Sequence, residues 1–189
     1  NAISNGGNTH GMWRTLTADE WSYLFNGRGT TSDSQKKFGK ARINFSGNSH
    51  VLGVIIFPDN WTMTQQDFTA AGISFTPGAS PTNNGKVGYE TNTLTEEQWQ
   101  LLEANGAVFL PALGYRYVEV MTDNVSGEQT KTIKIEHGSY NADGTYATGM
   151  EPPYGFYWTA SGGNVQFTTS ELTTNANYRH DYGMCVRLV

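Results

Sequence analysis

Cysteine is almost missing from this chain of 189 residues, where Cys185 stands alone. One thiol cannot close an internal disulfide, build a multi-cysteine zinc site or form a Cys-x-x-Cys redox pair. Between Met184 and Val186 in an apolar stretch, it reads as a small buried hydrophobe rather than a reactive thiol. Charge is scarce as well. Asp, Glu, Lys and Arg together make up 15% of the chain, and 12 basic against 17 acidic side chains leave a net charge of -5. No basic stripe is available to a phosphate backbone, which excludes nucleic acid as a partner. No apolar run approaches the roughly 20 residues that span a bilayer, so direct membrane insertion is excluded too. Asn1 opens in a polar Asn/Gly segment without a basic start or an apolar signal core, as expected of a mature fragment.

What the chain has in quantity is glycine, 22 copies, and aromatic side chains, 13% of residues. Much of it must therefore be turn and loop, with large rings supplying the buried area. The length suits one core, and residues 1–189 read as a single domain. Leu16 to Trp21 and Leu94 to Trp99 share one pattern, Leu-Thr-x-acid-x-Trp. Thr17 and Thr95 can cap free amides, Glu20 and Gln98 stand three residues on as capping-box partners, and the acidic first turn favours the positive helix start. The second helix should stop at Asn105-Gly106. Ala41 to Phe45, Val51 to Phe57, Ala107 to Leu110 and Tyr182 to Val189 read as strands bounded by Gly, Pro or Asn. Thr130 to Glu136 alternates, with Ile133 and Ile135 on one face and Lys134 and Glu136 on the wet one. Thr76 to Asn92 and Gly138 to Pro153 read as long surface loops. Two helices around a small, mostly antiparallel sheet make an α+β domain. Trp13, Trp21, Val54, Ile56, Trp99, Phe109 and Leu110 are expected to form one contiguous core.

The candidate chemistry is thin. Asp19-Glu20 and Glu96-Glu97 are adjacent on helices, diverge by about 100° and serve better as caps than as an acid/base pair. His10, His50, His137 and His180 are scattered without metal-ligand spacing. Asp143-Gly144 resembles the start of a calcium loop, but the remaining ligands do not follow. No Gly-x-Ser-x-Gly elbow occurs, and Asn5 to Asn8 and Ser161 to Gly163 lack the setting of a phosphate loop. Pro58-Asp59-Asn60-Trp61 reads as a turn ending an apolar strand, with Trp61 in the core. Neither a metal nor another cofactor is expected, and no enzyme activity is expected.

The string Met12 to Phe25, Met-Trp-Arg-Thr-Leu-Thr-Ala-Asp-Glu-Trp-Ser-Tyr-Leu-Phe, followed by Arg28, resembles gut Bacteroidetes surface proteins of the FISUMP type. The likeness continues through Val54 to Trp61, Leu94-Thr95 with Trp99, Ala107 to Ala112, Gly114-Tyr115-Arg116 and Val186 to Val189. It implies a C-type-lectin-like fold of the formylglycine-generating-enzyme branch, which also holds the variable proteins of diversity-generating retroelements. It further implies export to the outer cell surface, this chain being the C-terminal part of a longer protein, and a role in ligand binding or adhesion. The chain departs from relatives at Tyr157-Trp158-Thr159-Ala160-Ser161, where a Tyr-Trp-Ser-Ser-Thr motif is usual. It has one cysteine where the oxidase branch uses a pair to hold copper. Glu151-Pro152-Pro153 lacks the amide of calcium-binding lectins.

The expectation is thus an extracellular module recognising a surface protein or glycan, without metal, through exposed C-terminal loops. Its contacts should be Tyr154, Tyr157, Asn175, Asn177, Tyr178, Arg179, His180, Asp181 and Tyr182, because tyrosine offers large contact area at low entropic cost and Asn, His and Arg adapt their hydrogen bonds. The run Thr173 to Tyr182 also holds only residue types reachable by randomising the adenines of an Asn codon, as in retroelement-diversified relatives. A structural or pilus-tip component assembling through an exposed edge strand is the alternative. A degenerate enzyme would need a deep pocket with a perturbed titratable group.

Overall fold

Thr17, Thr64 and Thr95 each open a helix in the same way. In the computed structural model, which describes residues 14–28, 36–78, 82–83, 86–137, 153–169, 171–177 and 182–186, α1 spans Ala18–Asn26, α2 Gln65–Ala70 and α3 Glu96–Ala104. Each threonine hydroxyl accepts the amide three residues on, and the side chain there (Glu20, Asp67 or Gln98) accepts the threonine's own amide at 2.7–3.0 Å. Two orphan donors are satisfied at each helix start. Glu20 also pairs with Arg14, and that bond, ahead of the Thr17 amide, holds its carboxyl down at about 2. α3 ends at Asn105, with Gly106 at φ 94°, as the Asn-Gly signal requires. The third helix, α2, is an addition to the two expected.

Four strands form the central sheet. These are β1 (Phe38–Asn44), β2 (His50–Ile56), β5 (Thr93–Thr95) and β6 (Val108–Pro111), in the order β5-β1-β2-β6. Only the β1–β5 pairing is parallel. Period-two alternation sends Phe38, Leu52, Val54, Ile56 and Leu110 to one face, where Trp21 and Phe25 of α1 cover them. Ala41, Ile43, Ile55 and Leu94 go to the other, against Trp99 and Leu102 of α3 and Phe68 of α2. The expected single core is therefore two, one on each face of the sheet. Trp21, Val54, Ile56 and Leu110 belong to the first, Trp99 and Phe109 to the second, and Trp13 lies outside the described residues. A sheet buried on both faces cannot keep odd and even residues in one cluster.

The rest of the fold is β. Short β3 (Thr82–Asn83) and β4 (Lys86–Val87) pair within what reads as a long loop, and a 3-10 turn over Gly88–Thr91 follows. β9 (Gly155–Trp158), β10 (Asn164–Phe167) and β11 (Leu172–Ala176) form a sheet ordered β11-β10-β9. It contributes Tyr157, Val165 and Phe167 to the first core. β7 (Tyr115–Thr122), β8 (Gln129–Glu136) and β12 (Gly183–Met184) form another, ordered β12-β7-β8. The expected strand from Tyr182 to Val189 shortens to β12, with Cys185 in a bridge to Tyr157 and residues 187–189 outside the described set. Cys185 is half-buried, and burial pushes its thiol pKa up. Of the expected loop Gly138 to Pro153, only Pro153 is described. Ile133 and Ile135, expected on a covered face, are 69% and 66% exposed, because among the described residues nothing packs on that face of the β7–β8 hairpin. The whole is α+β.

Candidate functional site

The C-terminal segment crosses from β9 to β7. Cys185 donates its amide to the Phe156 carbonyl and accepts that of Trp158, while Gly183 and Met184 pair antiparallel with Arg116 and Tyr115. This stitch brings aromatic rings from three parts of the chain together. Tyr182 stacks on Tyr115 at 4.7 Å and 5°, and lies 5.5 Å from Tyr117. Tyr115 in turn stacks on Tyr154 at 5.9 Å and meets Phe156 edge-on at 5.1 Å. Alternation along β7 puts Tyr115 and Tyr117 on the same face, and Gly114 at φ 67° makes the turn that starts the strand, where a Cβ would strike the Glu136 carbonyl.

Beside the rings lies a cleft of about 370 Å³ lined by Arg116, Tyr117, Val118, Ile133, Tyr182 and Gly183. Gly183 makes room for Arg116, since a Cβ there would sit 2.5 Å from the guanidine Nε. β12 pairs with β7 only at its first two residues, so among the described residues β7 from Tyr117 onward is paired on the β8 side alone. The Tyr117 hydroxyl reaches Glu136 Oε1 at 3.4 Å, and its pKa is raised by loss of surrounding water and then by the Glu136 and Glu119 charges. Glu119 itself pairs with Lys134 at 3.5 Å. Half-buried tyrosine faces, polar hydroxyls and one exposed guanidinium can stack on and hydrogen-bond a polar ligand such as a sugar or a peptide side chain.

The expected contacts divide. Tyr182 lies in the cleft wall. Asn175 and Asn177 are exposed at the end of β11, in the neighbouring sheet. Tyr154 and Tyr157 are buried, so they are not the exposed contacts expected of them: Tyr154 backs the cluster, and Tyr157 sits in the first core with its hydroxyl on the Pro111 carbonyl at 2.9 Å. The alternation of β9 explains this, because Phe156 and Tyr157 must enter different layers and both layers are closed. Tyr178, Arg179, His180 and Asp181 lie outside the described residues. Tyr115, Arg116 and Tyr117 were missed, although Tyr-Arg-Tyr-Val alternation after a glycine marks a strand with one aromatic face.

Among the described residues, no three His, Cys, Asp or Glu side chains converge as a metal site requires. No helix among them is long and apolar enough to cross a membrane. Compared with family models, curated proteins and solved structures, the chain has no match among them.

Proposed function

We propose that this chain is an extracellular binding or adhesion module of C-type-lectin-like fold, of the FISUMP type, exported to the outer cell surface. It recognises a surface protein or glycan without metal and without catalysis. The observation that carries this reading is the Tyr115–Tyr117–Tyr182 cluster beside Arg116, where the C-terminal segment meets β7. The capped helices flanking a small sheet, and a C-terminal segment that forms the site wall, support the fold assignment. Of the run 173–182, Tyr182 lines this site, and variation there would alter its wall while β7 stays constant.

Glycan and protein arrays probed with the wild-type chain and with the Tyr117→Ala/Tyr182→Ala variant test it. A ligand retained by wild type and lost by the variant, with both proteins folded by circular dichroism, supports the reading. Equal binding by both sinks it.

A specific observation favours assembly as the second reading. Val118, Val120, Ile133 and Ile135 lie on one face of the β7–β8 hairpin, all about half exposed or more, and among the described residues β8 is the last strand of its sheet. An exposed apolar edge of this kind is a template for strand addition. Concentration-dependent association in analytical ultracentrifugation, abolished by Ile133→Lys, would favour it.

A further inference from the structure

The cleft beside the tyrosines is walled by side chains from both faces of β7. Alternation and the β7–β8 register put Arg116, Val118 and Ile133 on one face, and Tyr117 with its neighbour Tyr182 on the other. Yet all five line one cleft, together with Gly183. A cavity reached from both faces of a sheet lies across the edge of a strand, so the floor of this one is β7 backbone. β12 pairs with Tyr115 and Arg116 and goes no further. Among the described residues the edge is therefore open from residue 117 to residue 122, on the side of β7 away from β8.

An open edge offers the backbone N–H and C=O groups of alternate residues. The charge beside it has one sign. Arg116 is exposed and lies across Gly183, toward the edge, and among the described residues it forms no ion pair. No carboxylate among those residues lines the cleft. Two carboxylates of the hairpin are engaged elsewhere, Glu119 with Lys134 at 3.5 Å and Glu136 with the Tyr117 hydroxyl at 3.4 Å. Val118 and Val120 add apolar surface on the Arg116 face, 53% and 49% exposed.

A peptide strand answers all three features. A sugar can stack on the rings and meet Arg116, but it cannot extend a ladder of backbone hydrogen bonds. A peptide added to a sheet edge takes its affinity from that ladder and its selectivity from side chains that alternate between the faces. The residue paired with Val118 stands diagonal to Arg116, within reach of a long side chain, and a carboxylate there makes a charge-assisted bond to the guanidinium. The residue two further on lies against Val120. The volume of about 370 Å³ is at the small end of ligand sites, as a segment of a few residues requires.

We infer that this edge binds a short acidic segment of a partner protein in extended form. The segment adds as a strand alongside residues 117–122, where β12 ends, with a carboxylate on Arg116 and an apolar side chain two residues away against Val120. Resting on the proposal that the tyrosine cluster is the binding site, this narrows its ligand from protein or glycan to peptide.

The test follows backbone amide resonances of the whole ¹⁵N-labelled chain during titration with acetyl-Glu-Thr-Val-Thr-Glu-amide, which presents the same side chains in either strand direction. Saturable shifts at Tyr117, Val118 and Gly183 are expected. The Gln-Thr-Val-Thr-Gln analogue, which loses only the charge, should bind about tenfold more weakly, and Arg116→Gln should bring the two peptides level. N-methylation of the two threonines and N-methylation of the valine and glutamates should have opposite outcomes, because one set of amides faces β7 and the other faces away. The inference is overturned if the neutral peptide matches the acidic one, if the two N-methylated forms bind alike, or if no resonance responds at millimolar peptide. Galacturonic acid shifting these amides in the peptide's place overturns it too, and leaves the tyrosine site standing with an acidic sugar as its ligand. Undiminished peptide binding by Tyr117→Ala/Tyr182→Ala sinks the tyrosine site and the inference with it. The wild-type titrations decide the matter even where a variant fails to fold.

Discussion

Tyr182 lies flat on Tyr115, 4.7 Å between ring centroids and 5° between planes, and this contact fastens the C-terminal segment to β7. Two rings in this arrangement are worth about 0.5–1.5 kcal/mol beyond their buried area. Tyr182→Phe keeps the stack and should change stability by less than about 0.5 kcal/mol in urea denaturation. Tyr182→Ala should cost about 1–2 kcal/mol. An alanine variant as stable as wild type would mean that the segment is not held through this ring.

Trp21 has no exposed surface, stacks on Phe25 at 5.9 Å and tilts against Tyr157 at 6.2 Å. It joins α1 to both the central sheet and the β11-β10-β9 sheet. Trp21→Ala should therefore cost about 3–5 kcal/mol, the range for truncating a buried large aromatic. A loss under about 1 kcal/mol in chemical denaturation would place the helix in solvent and remove the basis of the first core.

The local parts of this fold are legible because their causes are local. A threonine and a Glu or Gln three residues on suffice to place the starts of α1 and α3. The same box, Thr64 with Asp67, opens α2, but six residues are too few for a helical period to stand out. Val54-Ile55-Ile56 reads correctly as a buried strand, yet the run means burial on both faces, and one core was inferred where two are needed. The site was harder to see. Tyr182 is visible in sequence as a contact type, but its neighbours Tyr115 and Tyr117 are brought to it by the β12–β7 register, a long-range pairing that no local pattern encodes. Likewise the alternation of Ile133 and Ile135 specifies a strand and leaves open whether anything covers it.

The hairpin offers a prediction of the opposite sign to that for Trp21. Val118 and Ile133 are cross-strand partners, and both are more than half exposed. Val118→Thr with Ile133→Thr keeps β-branched side chains, so strand preference is retained. The pair should leave stability within about 0.5 kcal/mol, while fluorescence of a hydrophobic dye bound to the native protein falls. A loss above about 2 kcal/mol would show that another part of the chain covers this face.

Lys40 is the clearest electrostatic liability in the fold. It lies on β1 between Phe38 and Arg42, opposite Val54, and is fully buried with no hydrogen-bond partner for its ammonium among the described residues. Burial pushes its pKa down from 10.5 to about 8, and the Glu171 charge opposes this only in part. The unfolded chain therefore binds this proton more tightly than the folded one. Below about pH 8 the penalty is fully present, and it fades as pH rises toward 10.5, so this group makes stability increase with pH across that window. The shift corresponds to a penalty on the order of 3 kcal/mol. Lys40→Met keeps an unbranched side chain and removes the charge, and at pH 7 it should stabilise the protein by about 2–3 kcal/mol. Other groups titrate in the same range, so the quantity to measure is the difference between variant and wild type, by urea denaturation at pH 7 and near pH 10.5. That difference should shrink toward zero at the higher pH. A gain of the same size at both would trace it to packing, and a variant less stable than wild type at pH 7 would mean that the ammonium finds a partner in solution.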